Sequence, residues 1–353
     1  MRFGAFGDMM LLIPALKTLQ QRFGAPSELV SSGSWTAPLM QRVPACGGVR
    51  LLTSRRAPYW FNRSQQQLVQ ALRVRPAGPV YVFEDDEKPL ALLRRAGIGP
   101  EWICSARDFS RQPGEHVAAH ALRLSRQTPA ALRGSPEYSP PSSLEPDMRP
   151  VLTETDRHDC AEWLAHLGLA DTPLVLLQPG NKKTMKGGSR RRASNVDYWP
   201  EANWAHVITG VRRLLPAAHI IICGAPSERS LAEDIVSHLS GPPAGVLIAT
   251  NELPIPRLLA LQERAHSQIS ANTGPAHSAA AMGCPEVVMF TRHAHRAAEL
   301  YSPLPTTGPV KIVFPDAAGA DGSLLSIHPD TVVGTWHDMI TGRGVPGSTR
   351  IWA

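Results

Sequence analysis

The chain has 353 residues, about two domains' worth, and 43% of them are hydrophobic, which excludes a largely disordered protein. No apolar run approaches the ~18–20 residues of a membrane span. The 33 prolines and 28 glycines follow no repeat, which excludes collagen-like and solenoid folds, and the net charge is +6.

In chain order, Arg2-Phe3-Gly4-Ala5-Phe6-Gly7-Asp8 reads as a glycine-rich loop before a helix over 9–23. The loop lacks GxGxxG spacing, so it is no dinucleotide fingerprint. Gly7 is expected to adopt an unusual backbone angle, and Asp8 either caps the helix or faces an interdomain cleft. Apolar runs at 28–31, 49–53 and 79–83 alternate with helical patterns at 64–75 and 87–96. This βα alternation predicts a parallel sheet with helices on both faces. Asp85 or Asp86 in Glu84-Asp85-Asp86 starts the helix at 87–96 rather than holding a metal, because no His comes with the segment. Residues 127–150, rich in Pro and Ser and without periodicity, read as an interdomain linker.

In the second half, buried-strand runs lie at 173–178, 218–223, 245–249, 267–271, 285–290 and 310–314. Helical patterns at 201–215, 226–239, 256–266 and 275–282 separate most of them. Three strands end in turn-forming elements: Pro179-Gly180, Gly224-Ala225-Pro226 and Asn272-Thr273-Gly274-Pro275. Ligands of open α/β sheets sit beyond the carboxyl ends of the strands, so these turns predict one ligand cleft. A final helix at 329–341 is expected to pack back on the first domain. The resulting organisation is an N-terminal domain 1–135, a linker 136–150, a C-terminal domain 151–325 and a helix with tail 326–353.

The net charge is concentrated in residues 181–195, which hold Lys182, Lys183, Lys186, Arg190, Arg191 and Arg192 and no acid. The rest of the chain balances to zero, so a general basic face for nucleic acid is unsupported. A single basic loop that meets an anion is the sharper reading, and a solvated loop the alternative. His293 and His295, flanked by arginines, lack zinc spacing, and no GxSxG, HExxH or Walker A motif occurs. Cys46, Cys104, Cys160, Cys223 and Cys284 are scattered with no CxxC pair. That pattern suits a reducing compartment, and the start has no signal-peptide pattern, so the protein reads as cytosolic.

The strongest local signal is 267–290: strand, Asn-Thr-Gly-Pro, helix, strand. Gly274 lets a ligand approach the backbone, and Pro275 is pre-organised for the first helical turn. The N–H groups of Thr273, Gly274 and Ala276 and the helix dipole would favour a phosphate, with His277 able to donate to it. An ordinary capped helix is the alternative. Glu228, after Gly224-Ala225-Pro226-Ser227, would accept from ribose hydroxyls or simply complement a helix terminus.

Together these segments resemble glycosyltransferase family 9, the ADP-heptose heptosyltransferases of lipopolysaccharide assembly. The family's "GDxxLxxPAL" appears as Gly7-Asp8-Met9-Met10-Leu11-Leu12-Ile13-Pro14-Ala15-Leu16. Its "PG" and "WPxExWA" appear as Pro179-Gly180 and Trp199-Pro200-Glu201-Ala202-Asn203-Trp204-Ala205. Its "GxPxE" appears as Gly224-Ala225-Pro226-Ser227-Glu228, and its "DTGxxHxAAA" as Asn272-Thr273-Gly274-Pro275-Ala276-His277-Ser278-Ala279-Ala280-Ala281. The resemblance implies a GT-B fold, two Rossmann-like domains facing a cleft, and inverting transfer without a required metal or cofactor. The donor would be ADP-heptose or a related nucleotide sugar. By the same analogy Asp8 is the general base, and Asn272, Thr273, Gly274, Pro275, His277, Gly224 and Glu228 hold the donor. Lys182, Lys183 and Lys186 would stand in for a family lysine absent before Trp199-Pro200. Gly7, Arg190, Arg191 and Arg192 would face an anionic glycolipid or other glycan acceptor, with peripheral contact to the cytoplasmic face of the inner membrane. Asn272 replaces the family's acid with an amide that donates as well as accepts, so sugar recognition is expected to differ. The family's opening strand is reduced to Met1-Arg2-Phe3, and the start is read as misassigned or trimmed. Besides the transferase, two readings stay open: a nucleotide- or glycan-binding relative with altered or lost activity, and a heptosyltransferase acting on a protein.

Overall fold

The computed structural model describes residues 1–54, 57–135, 138–139, 147–180, 195–292, 298–315 and 322–342. Two compact units divide at Val151 and Leu152. The described end of the expected linker belongs to the first unit's body. Met148 is fully buried, Lys17 pairs with Asp147 at 2.6 Å, and Val151 N–H donates to the Arg42 carbonyl.

The first unit runs α1 (Phe6–Phe23), β1 (Ser27–Ser31), α2 (Thr36–Met40), β2 (Cys46–Leu51), α3 (Arg63–Arg73), β3 (Val80–Val82), α4 (Glu87–Arg95), β4 (Ile103–Ser105) and α5 (Val117–Ser125). β1 pairs with β2 and β3 with β4, both parallel. Met1–Phe3 lies between the two pairs. Arg2 N–H donates to the Val30 carbonyl at 3.0 Å, and Phe83 N–H donates to the Met1 carbonyl at 2.9 Å. Three residues thus take the central place of the sheet, where the sequence suggested a costly loss. Met1 and Phe3 enter the core with Val30, Leu68, Val69 and Val82. Helices α2 and α5 and strand β4 were not expected, being short or weakly patterned.

Helix α1 is buried on most sides, from Met9 to Leu19, and ends on Gly24 in the left-handed conformation. Arg22 in its last turn is 4% exposed and meets no carboxylate among the described residues. Its guanidinium instead donates to the carbonyls of Ser125, Gln127 and Tyr138, the Thr128 hydroxyl and the Tyr81 hydroxyl. Nothing apolar can satisfy those acceptors, so the side chain staples α1 to the segment after α5. Arg22→Ala is therefore expected to cost about 3 kcal/mol in urea-denaturation stability, because a cluster of buried acceptors loses its donor. A loss within experimental error would show that water satisfies them.

The second unit runs α6 (Glu154–His166), β5 (Leu174–Gln178), α7 (Glu201–Leu214), β6 (His219–Ile222), α8 (Arg229–Ser237), β7 (Val246–Ile248), α9 (Ile255–Arg264), β8 (Ser267–Ala271), α10 (Gly274–Met282), β9 (Glu286–Met289), α11 (Ala298–Tyr301), β10 (Val310–Val313) and α12 (Pro329–Thr341). All of its strands are parallel, in the order β10-β9-β8-β5-β6-β7. Both faces are covered, so β5, β8 and β9 are buried along their whole length. Helix α6 was missed, although Thr153 and Asp156 form the capping box that announces it. The expected helix at 226–239 opens with a single 3₁₀ turn over Pro226–Glu228.

The expectation for 329–341 needs correction. The apolar face of α12, Val332, Val333, Trp336 and Met339, belongs to the second unit's own core. The Trp336 indole donates to Ser267 Oγ at 2.8 Å, at the start of β8. Its one apolar stripe is spent there, against α7 and the sheet.

Candidate functional site

In the first unit Asp8 stands one turn into α1. Its Oδ2 accepts from Ala5 N–H at 2.7 Å, which caps the helix, and its Oδ1 accepts from Arg2 at 2.7 Å. Arg2 also donates to the Phe83 carbonyl and lies 3.6 Å from Glu84, whose carboxylate accepts from Phe3 N–H. Arg2 thus fixes two carboxylates at the carboxyl edge of the sheet, a role not foreseen. Gly7 does not show the expected backbone angle; it is an ordinary helical residue of α1, past the turn that would need one. Gly4 is the constrained glycine, since a Cβ there would lie 2.3 Å from Asp8 Cβ. Asp86 caps α4 through Lys88 N–H, as read from the sequence. Asp8 borders a small cavity of about 20 Å³ shared with Leu11, Leu12, Phe83 and His120. A larger cavity, about 590 Å³, opens at the opposite edge around Ser27, Glu28, Pro79 and Val80, away from Asp8.

In the second unit β8, β5 and β6 are neighbours, so the turns that follow them share one edge. Glu228 is 7% exposed and accepts from Ala225 N–H at 2.6 Å. Burial pushes its carboxyl above the usual carboxylate range, partly offset by that N–H. Gly180 and Gly224 make room for it: a Cβ on either would lie 2.9 or 3.0 Å from a carboxylate oxygen. Thr250, which follows β7, flanks Gly224; its hydroxyl is buried and has no partner among the described residues.

After β8, Asn272 N–H extends the pairing to Met289, and Thr273 is the N-cap of α10 in extended conformation. The Thr273 side chain makes no capping bond, and its hydroxyl is buried without a partner among the described residues. Ala276 N–H is not available as expected, because it donates to the Thr273 carbonyl at 3.2 Å. A tight first turn consumes that donor and leaves the amides of Thr273 and Gly274 ahead of the first intrahelical bond. Pro275 opens the helix and His277 is buried in its first turn. Lys182, Lys183, Lys186, Arg190, Arg191 and Arg192 lie outside the described residues, as do His293 and His295. Among the described residues no group of three or more His, Cys, Asp or Glu could hold a metal ion, and no helix is long and apolar enough to cross a membrane.

Residues 152–308 match the family model described as glycosyltransferase family 9 (heptosyltransferase). The matched stretch falls within the second unit. No curated protein matches the chain by sequence. Among solved structures, ADP-heptose LPS heptosyltransferase II of E. coli is 15% identical, with 97% of this chain and 99% of that chain covered and a TM-score of 0.72. The glycosyltransferase family 9 protein of Veillonella parvula is also 15% identical, with 97% and 96% covered and a TM-score of 0.73. E. coli heptosyltransferase WaaC with ADP is 17% identical, with 96% and 99% covered and a TM-score of 0.66. These likenesses establish the α/β GT-B fold expected from the motifs.

Within the matched residues, the tryptophans of the "WPxExWA" segment serve the fold. Trp199 and Trp204 are buried and meet edge to face at 5.0 Å, and the Trp199 indole donates to the Ile327 carbonyl. A polar network that the sequence reading missed supports the Thr273 turn from below. Gln262 and Gln268 donate to the Pro275 carbonyl at 2.9 and 3.3 Å, and Gln262 also donates to Gln268. Gln268 and Ser270 both donate to Glu286 Oε1 at 2.8 Å, while Oε2 has no partner among the described residues. Each of these polar residues sits within a strand or helix pattern that reads as apolar core, so only contact reveals the network.

Glu286 is fully buried, and burial holds its carboxyl well above its ordinary 4.5. The folded state therefore keeps a proton that the unfolded state releases above pH 4.5. Stability from this group is complete below that pH and falls as pH rises toward the folded value, by up to about 1.4 kcal/mol per unit. Glu286→Gln removes the dependence, so its Tm relative to wild type should climb steadily from pH 5 to pH 8 in scanning calorimetry. A constant difference would mean that Glu286 is charged in the fold.

Proposed function

We propose that this chain, a family 9 glycosyltransferase, moves a heptose or related sugar from an ADP-activated donor to a glycan acceptor, such as a lipopolysaccharide core, with inversion at the anomeric carbon. The observation that carries this reading is the buried, unpartnered Thr273 hydroxyl at the start of α10, inside the matched domain. A buried hydroxyl without a partner is costly unless a ligand supplies one. The Thr273 and Gly274 amides and the helix dipole would take the diphosphate, with His277 beside them. Glu228 would accept from the ribose hydroxyls, at the edge opened by Gly180 and Gly224. Asn272, half-buried at the end of β8, would read the sugar. Lys182, Lys183 and Lys186 would add charge to the diphosphate side, and Gly7 with Arg190, Arg191 and Arg192 would serve the acceptor side.

In this mechanism Asp8 takes the proton of the attacking hydroxyl while the bond from the anomeric carbon to the diphosphate breaks. Positive groups at the α10 terminus stabilise the departing ADP without calling on a metal. The solved neighbours support this choice of donor: one is named an ADP-heptose LPS heptosyltransferase, and another was solved with ADP. The reading places the protein in the cytoplasm, where nucleotide sugars are made. The bonds from Arg2 and Ala5 to Asp8 favour a second reading, binding without transfer, in which Asp8 serves only the helix.

Asp8→Asn separates the two. Its turnover with ADP-heptose should fall about 10²-fold or more with ADP affinity unchanged. Near-normal turnover would leave Asp8 as a cap alone. Gly274→Val should abolish ADP binding in calorimetry while circular dichroism stays unchanged, because a side chain would occupy the phosphate's approach to the backbone. Unchanged affinity in a folded variant would move the diphosphate elsewhere.

A further inference from the structure

The small cavity beside Asp8 has a second ionisable wall. Val117, His120 and Ala121 stand three and four apart on α5, so they share one helix face. That face closes the cavity against Leu11 and Leu12 of α1 and against Phe83. Arg2, Asp8 and His120 are its polar lining, and the other lining residues are apolar. Arg2 is engaged by Asp8 and by the Phe83 carbonyl. His120, half-buried, is the polar group that remains.

The imidazole is held, and the hold fixes its tautomer. His120 Nε2 lies 2.7 Å from the Phe109 carbonyl oxygen. A carbonyl only accepts, so Nε2 carries the hydrogen and, in the neutral ring, Nδ1 is the acceptor. The ring also stacks on Phe109, at 6.4 Å and 12°. The Arg123 guanidinium lies over the Phe109 ring at 4.1 Å, and both oxygens of Glu115 accept from it, at 2.6 and 2.7 Å. His116, one turn earlier, is spent differently: its Nδ1 accepts from Ala118 N–H and caps α5. The charged groups around the His120 ring are therefore two ion pairs, Arg2 with Asp8 and Arg123 with Glu115, and Glu84 lies beyond Arg2 at 3.6 Å.

At about 20 Å³ the cavity has room for one water, which needs at least two polar partners. Asp8 spends one lone pair of each oxygen on Ala5 N–H and Arg2, and offers the others. His120 offers Nδ1. Two acceptors on one cavity are what the two hydrogens of a water join. We infer that His120 is the proton acceptor behind Asp8, linked to it by one water in this cavity. The inference rests on the reading of Asp8 as the base. As the acceptor oxygen bonds to the anomeric carbon and the bond to the diphosphate oxygen breaks, the hydroxyl proton goes to Asp8. Asp8 gives a proton to the water, and the water gives one to Nδ1. The imidazolium then releases it to solvent, with Nε2–H still on Phe109. An imidazole ordinarily holds a proton far better than a carboxylate does, so the transfer runs downhill and returns Asp8 to its charged form.

The test uses the full-length protein, ADP-heptose and a lipopolysaccharide-core oligosaccharide as acceptor. His120→Gln still donates to the Phe109 carbonyl but cannot hold the proton. Its kcat near neutral pH should fall about 10-fold with ADP affinity unchanged. Wild-type kcat should decline as pH falls through the imidazole range, because a protonated ring accepts nothing. In His120→Gln that decline should move down to the carboxylate range, below about pH 5. Added imidazole should restore part of the lost kcat of His120→Ala and leave wild type unchanged. A second readout needs no turnover. In NMR of the ring nitrogens, His120 should protonate at a pH lower by about 0.5 in Asp8→Asn than in wild type, since the nearby anion is gone. Full activity of His120→Gln, an equal loss at every pH, or an unmoved His120 titration in Asp8→Asn overturns the inference. Near-normal turnover of Asp8→Asn removes the base and the relay with it. An inactive Asp8→Asn beside a fully active His120→Gln keeps the base and removes only the relay.

Discussion

The Pro275 carbonyl accepts from Gln262, Gln268 and the Ser278 hydroxyl, and through Gln268 it is joined to Glu286 on the neighbouring strand. A helix that begins directly after a strand has only that short junction to fix its direction. Here α9, β8 and β9 all reach the junction through polar side chains, so the first turn of α10 has little freedom to rotate. The Thr273 and Gly274 amides, which no intrahelical bond restrains, are aimed by this anchoring. A diphosphate site built on backbone amides needs that fixity more than it needs any one charged side chain.

The network places a fully buried carboxyl close beneath a helix start proposed to receive an anion. Ionised, Glu286 would repel such a ligand and bear an uncompensated desolvation cost. Both donors that reach it converge on Oε1, the pattern of a neutral acid whose carbonyl oxygen is the acceptor. Cys284, two residues before it, is buried as well, and burial pushes its thiol up. Arg22 in the first unit shows the opposite solution. Its buried guanidinium is met by carbonyl oxygens, whose dipoles point at it and replace the water it lost.

The fold was legible because parallel strands buried on both faces must be apolar throughout, as Leu174–Gln178 and Glu286–Met289 nearly are. Their flanking turn residues then marked the ligand edge. The polar exceptions inside β8 and β9, Gln268, Ser270 and Glu286, carried no signal, since periodicity cannot say that side chains from two strands and a helix converge. Thr250 was equally silent, a threonine after a short strand. In the first unit the reading of Met1-Arg2-Phe3 counted strand residues. The structure shows that backbone bonds to Val30 on one side and to Tyr81 and Phe83 on the other hold these residues between the two strand pairs. The expected angle at Gly7 failed because the helix starts at Phe6, so the tight contact falls one turn earlier, at Gly4.

Capping a helix and accepting a proton are usually set against each other as fates for an aspartate. The geometry at Asp8 does not force the choice. An ionised carboxylate offers about four lone-pair sites. Ala5 N–H takes one on Oδ2 and Arg2 takes one on Oδ1, which leaves one on each oxygen. The side chain remains 26% exposed, so those sites are not sealed in the core. What the two bonds remove is rotation: they hold the carboxylate plane at a set angle to the strand that precedes it. A base that must meet one hydroxyl gains from such orientation, provided its free lone pairs point outward. On the proposed reading of Asp8 as the base, the cap is then the means by which the sequence positions it.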